Sequence, residues 1–199
     1  MLISIDPSQN SLGLALHTSI GALVDALHIK RAVPIKQDWH KSAMQMAHAV
    51  GQAVRVSKAE SRLFQVLIEL PANWASARGQ DSKNSGSIQQ LYFTCGAICT
   101  AMQQFTSCTG VWGVAPNTWK GQASKDKMIR RALIYAAKHD IDLTGAADDV
   151  AEAVLLGRYA FVHGISDRDG LIGFRSPIVH VTDNQIVKDL SMFDYIYFS

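Results

Sequence analysis

The sequence is poor in the features that mark secreted, membrane and zinc-binding proteins. It has three cysteines, an odd number, with no Cys-x-x-Cys spacing and no neighbouring histidine to complete a zinc site. Cys95 and Cys99 lie one helical turn apart on an apolar face, and with Cys108 they read as buried thiols in a reducing compartment. No apolar run approaches the roughly 18 residues of a membrane span, and the N-terminus Met-Leu-Ile-Ser-Ile-Asp lacks the basic start and apolar stretch of a signal peptide. An intracellular, cytoplasmic protein is expected. A Gly-x-x-x-x-Gly-Lys loop is missing, which argues against a P-loop nucleotide hydrolase. Charge of one sign is also lacking: 19 Lys and Arg stand against 17 Asp and Glu, and a net charge of +2 does not announce a nucleic-acid partner.

What is present fits one core. A chain of 199 residues, 48% hydrophobic and 18% charged, has the length and composition of a single soluble α/β domain with an appendage. Met1 to Ile5, Leu12 to His17 and Ile20 to Ile29 read as three early strands in an antiparallel meander. Helical spacing of Trp39, Ala43, Met46, Ala47, Val50 and Val54 predicts a helix from Gln37 to about Lys58. Leu63 to Glu69 returns to strand character and stops before Pro71. Beyond a polar loop from Ala75 to Ser87, a second apolar stripe runs from Ile88 to Met102, followed by a short strand from Val111 to Val114. Ser124 is placed to cap a third helix reaching about Lys138, and Asp148 or Asp149 opens a fourth that ends near Val162. After His163 no period is sustained. Residues 1–163 are therefore expected to form the domain and residues 164–199 an extension docked on it, since so short a piece rarely builds its own core.

The carboxylates carry the chemistry. Asp6 ends the first strand, and Glu69 ends the fourth in "VLIELP"; in α/β sheets ligands gather in crevices outside strand ends. In "GAADDVAEAVLLGRYA", Asp149 and Glu152 are three apart and share a helix face, although Asp-x-x-Glu before an apolar run also fits a capping box. A carboxylate cluster without a histidine or cysteine set favours hard cations, Mg²⁺ or Mn²⁺, over zinc. Its members would repel one another without cations, so the cluster implies its own metals. Two such ions can clamp a phosphodiester during hydrolysis.

Four stretches in order, "IDPSQNSLGLAL", "VLIELP", "VAPNTWKGQASKDK" and "ADDVAEAV", resemble the motifs of RuvC-type Holliday junction resolvases, particularly their phage-encoded relatives, over about Met1 to Val162. The resemblance implies an RNase H-like fold, a mixed five-stranded sheet flanked by helices, here with a C-terminal extension. It further implies a Mg²⁺-dependent crossover junction endodeoxyribonuclease with two ions per site, Mn²⁺ substituting, that cuts four-way DNA junctions in pairs as a homodimer; the apolar second helix around Tyr92 to Met102 is this reading's own candidate for the interface. The host is then a bacterial or phage-infected cell. Asp6, Glu69, Asp149 and Glu152 take the family's catalytic and metal-binding positions. Two departures stand out: the last acidic residue is Glu where the family more often has Asp, and Asp148, one turn from Glu152, competes with Asp149 for the ligand role.

Lys120, Lys125 and Lys127 fall where the family is expected to meet the DNA backbone, within a basic span that continues through Arg130, Arg131 and Lys138; a solvated helix face explains the same charges. Arg78 and Lys83 in the polar loop are further DNA-binding candidates. Trp74 in that loop either stacks on an unpaired base or folds back on the domain. Trp39, Trp112 and Trp119 read as packing residues, and His17, His28, His48 and His139 as packing or surface residues. Two rival functions share these residues: an RNase H-like nuclease acting on RNA, hybrids or flaps, and a non-catalytic nucleic-acid-binding protein. An actin-like nucleotide-binding fold is disfavoured by the short chain.

Overall fold

Strand alternation organises the molecule. The structure, a computed structural model, describes residues 1–32, 38–71, 85–121, 123–163 and 171–174. Strands β1 (Leu2–Pro7), β2 (Ser11–His17) and β3 (Leu23–Lys30) form the expected antiparallel meander, with Ile5 opposite Leu14 and Asp6 opposite Gly13. The third strand starts later than the sequence suggests. Ile20 lies in the β2–β3 turn, 87% exposed, and Gly21 at φ +88° reverses the chain where a side chain would be strained.

Helix α1 (Trp39–Val56) begins at Asp38, whose carboxylate accepts from the Lys41 N–H and satisfies one of the free donors of the first turn. Then come β4 (Phe64–Glu69), α2 (Ser85–Gln103), β5 (Cys108–Val114), a four-residue helix α3 (Pro116–Trp119), α4 (Lys125–Ala137), α5 (Asp148–His163) and β6 (Leu171–Phe174). Ser124 precedes α4 as expected but makes no side-chain capping bond. The sheet order is β3-β2-β1-β4-β5-β6, with β4 parallel to β1 and to β5. The five-stranded mixed sheet flanked by helices is the fold expected from the sequence. To it the segment after His163 adds a sixth strand, antiparallel to β5.

Alternate residues of each strand face opposite layers. Ile3, Ile5, Leu12, Leu14, Leu16, Val66 and Ile68 pack against α1 and α2 through Met46, Val50, Val54, Cys95, Ile98, Cys99 and Met102. Each fully buried large side chain here stabilises the fold by roughly 1.5–3 kcal/mol. The α2 stripe from Cys95 to Met102 is thus committed to the core, which removes most of the surface expected for a dimer contact. Only Tyr92 and Phe93, each a little under two-fifths exposed, project from its described part as large apolar groups.

On the other sheet face, Leu2, Ala15, Leu23 and Leu67 pack against α5 and, beyond it, α4. Two glycines set how close α5 comes. A Cβ on Gly13 would lie 2.0 Å from the Asp149 carbonyl oxygen, and one on Gly157 would lie 2.0 Å from His17 Nε2. Below this contact, buried Ser4 donates to the Ala153 carbonyl at 2.7 Å and lies 3.3 Å from His17 Nε2. No described helix is long and apolar enough to cross a membrane.

Candidate metal centre

Period-2 alternation puts Ser4 and Asp6 on the α5 side of β1, and Leu67 and Glu69 on the same side of β4. Because the strands are parallel with Ile5 beside Ile68, Asp6 and Glu69 emerge next to each other at the same end of the sheet. Helix α5 starts over that end and directs Glu152 at them from its second turn. One oxygen from each of Asp6, Glu69 and Glu152 lies within 4.8 Å of the others.

Lys120, at the end of α3, enters this cluster. Its Nζ lies 2.9 Å from both Glu69 carboxylate oxygens and 2.6 Å from Glu152 Oε2. The preceding residue contributes too: Trp119 Nε1 donates to Glu69 Oε2 at 2.7 Å. Trp119 packs against the α5 layer as the sequence suggests, but it is also a polar partner of the site, which its apolar neighbours in sequence do not signal. Pro116 starts α3 with its fixed φ, and one helical turn then delivers the Trp119 and Lys120 side chains together.

The electrostatics follow from burial and crowding. Asp6 is 5% exposed, and burial, then the neighbouring Glu69, raises its pKa well above the ordinary carboxylate range, with Lys120 pulling the other way. Glu69 is raised as well, chiefly by burial, against the opposing Lys120 and Trp119 contacts. Burial alone would lower Lys120, but Asp6, Glu69 and Glu152 together outweigh it and hold the ammonium above the usual lysine value. Three carboxylates facing one ammonium carry an excess of negative charge in a set of oxygen-only donors. That donor set fits a hard divalent cation.

Asp149 takes a different environment. Its Oδ2 accepts from Ser11 Oγ at 2.6 Å and lies 3.5 Å from Ser8 Oγ, its Oδ1 accepts from the Val150 N–H, and His28 Nε2 is 3.7 Å away. Residues three apart on a helix differ by about 60° in direction. That offset is enough to turn Asp149 over the β1–β2 turn while Glu152 points at the strand ends. Asp148 forms an ion pair with Lys125 instead of joining the cluster. His28, read from the sequence as a packing or surface residue, is a neighbour of Asp149.

The turn after Asp6 is itself fixed. The Ser8 N–H and Oγ both donate to the Ser11 carbonyl, and the Arg31 guanidinium donates to the Ser8 carbonyl at 3.1 Å, Ser42 Oγ at 2.9 Å and Thr94 Oγ1 at 3.3 Å. Arg31 thereby ties the turn to α1 and α2. Lys127 is exposed on α4. Trp74, Arg78 and Lys83 lie outside the described residues.

The sequence matches no protein-family model, and no curated protein resembles it closely enough to match. Solved structures do. The chain is similar to T. thermophilus RuvC in complex with a Holliday junction substrate, with a TM-score of 0.56, 13% identity, and coverage of 80% of this chain and 92% of that one. It is similar also to a Thermus thermophilus RuvC structure at TM-score 0.55 and 14% identity, covering 80% and 93% of the two chains. At these identities the shared property is the fold, a RuvC-like member of the RNase H-like architecture.

Proposed function

We propose that this chain is a Mg²⁺-dependent endonuclease that resolves four-way DNA junctions by paired phosphodiester hydrolysis. The observation that carries the reading is the convergence of Asp6, Glu69 and Glu152 within 4.8 Å at the strand ends of a RuvC-like fold. Similarity to a RuvC structure that holds a Holliday junction supports the choice of substrate. Paired cuts need two symmetry-related sites, so the working form is a homodimer.

In this reading Asp6, Glu69 and Glu152 hold the metal, with Mn²⁺ an acceptable substitute for Mg²⁺. Divalent ions bound there supply activation of water and stabilisation of the leaving oxygen. The chain's own groups do the rest. Trp119 fixes the rotamer of Glu69 by its indole N–H. Lys120 balances the carboxylates in the free protein and offers its ammonium to the charge that develops on a phosphate in the transition state. Asp149, held by Ser11, acts as a positioning residue that seats the first turn of α5, and through it Glu152, against β2. Lys125 and Lys127, with Arg78, Lys83 and Trp74, are the proposed DNA contacts.

The test is cleavage of a four-way junction, a linear duplex and an RNA–DNA hybrid of matched sequence in Mg²⁺, comparing wild type with Asp6→Asn and Glu69→Gln. Junction-selective cutting that both substitutions abolish, with junction binding retained, is expected. Preferential cutting of the hybrid would move the activity to another RNase H-like nuclease. Binding without any cutting would make the chain a non-catalytic junction binder.

A further inference from the structure

Helix α4 carries a row of cations of which the proposed function uses only Lys127. At 100° per residue, Lys127, Arg130, Arg131, Ile134 and Lys138 fall within an arc of about 100°. All five are exposed. The opposite side of the helix buries Met128, Ala132 and Ala136 against α5, so the row faces directly outward. No acidic residue interrupts it: Asp126 lies to one side, and Lys125, on the flank toward α5, is occupied by Asp148. Among the described residues none of these four cations has an ion-pair partner, whereas Lys125 and Arg55 each have one and Lys120 has two. In a chain of net charge +2, four unpaired cations on one face are a concentrated surplus.

The row has a direction. Its first turn stands beside the start of α5, through the Lys125–Asp148 pair, one helical turn from Glu152. Its far end passes the opposite end of the sheet, where the Tyr135 hydroxyl contacts the Gly21 carbonyl in the β2–β3 turn and Arg158 lies over the Tyr135 ring. From Lys127 to Lys138 the helix rises about 16 Å, enough to follow roughly five phosphates of rise along one strand of a duplex.

We infer that the outer face of α4, through Lys127, Arg130, Arg131 and Lys138, is a track for the phosphate backbone of a duplex arm leaving the carboxylate cluster. This deepens the proposed function and rests on it for the nature of the nucleic acid. A membrane surface fits the row poorly, because Ile134 is its single apolar member and the apolar side of the helix is already packed in the core. The contacts are to backbone and not to bases, so they position an arm without reading its sequence.

The inference is tested with the full chain in chelator, so that nothing is cut, by the anisotropy of a labelled four-way junction between 50 and 200 mM salt. Removing one phosphate contact lowers the slope of log K against log salt by about 0.9. Arg130→Ala with Arg131→Ala is expected to reduce the slope by about 2, and adding Lys138→Ala by nearly one more. Arg130→Lys with Arg131→Lys keeps the charge and should keep the slope. The control removes the same charge from the α1 side of the molecule: Lys58→Gly, at a residue already in the left-handed region where glycine is at ease, with exposed Lys41→Ala on α1. An unchanged slope in the α4 variant, or an equal drop in the control, overturns the inference. If wild type fails to cut junctions while the α4 slope still falls, the track stands and the resolvase reading does not. Junction cutting with an unchanged slope leaves the resolvase reading standing and removes the track.

Discussion

At the scale of single residues, Lys120 is the keystone of the carboxylate cluster. Its ammonium touches Glu69 and Glu152 in a largely desolvated setting, and no other cation of the described residues shares that duty. Lys120→Met is expected to destabilise the metal-free protein by about 2–3 kcal/mol, the usual worth of hydrogen bonds to charged groups that are removed with their partners left behind. Millimolar Mn²⁺ should then raise the melting temperature of the variant more than that of wild type, because the cation replaces the missing charge. Equal melting temperatures in chelator would show that Lys120 does not balance the cluster. His17 supplies a second test. Burial, then neighbouring His139, lowers its pKa to about 4, so it is neutral in the folded protein at pH values where the unfolded chain has begun to bind a proton. Its contribution is fully present above about pH 6.5 and is lost as pH falls toward 4, by up to about 3 kcal/mol. Urea unfolding of wild type and His17→Leu across that window measures it; parallel pH profiles would refute it. Residue types alone make part of this site legible: polar residues ending apolar strands mark Asp6 and Glu69. The division between Asp149 and Glu152 is not legible in that way, since helical spacing places both on one broad face and only the serines of the β1–β2 turn separate them. Trp119 carries no signal of its role either, because an apolar sequence setting says nothing about where an indole N–H will point.

At the scale of elements, the site depends on how tightly α5 lies on the sheet. Gly157→Ala would push a methyl group into His17 Nε2 and to 2.7 Å from Ser4 Oγ, inside the layer that seats the helix carrying Glu152. Overpacking of this kind costs about 3 kcal/mol or more. The variant is expected to unfold at markedly lower temperature and to bind Mn²⁺ more weakly, and pairing it with His17→Ala should recover part of the loss in a double-mutant cycle. Additive effects would show that the helix does not feel the clash. Long elements are legible from their period: α1 and α4 fall within a residue or two of their expected limits. Short ones are not. Helix α3 has four residues and β6 has four, too few for a period to register, yet the first delivers Trp119 and Lys120 to the cluster.

At the scale of the whole molecule, the layers divide the work between a thick apolar face under α1 and α2 and a polar, glycine-thinned face under α5. The sheet's borders matter as much as its faces. A sheet ends in rows of unpaired backbone groups, and such rows recruit other chains. By pairing with Val111–Val114, the segment Leu171–Phe174 closes the border of the sheet that β5 would otherwise leave open. A chain ending at His163 is therefore expected to form concentration-dependent aggregates by light scattering while the full chain does not, and adding a charged residue on β5, as Thr109→Lys, should suppress them. If the shortened chain stays monodisperse, β6 guards nothing. If it aggregates, four residues beyond the domain serve as its selvedge, keeping the sheet from fraying into contact with itself.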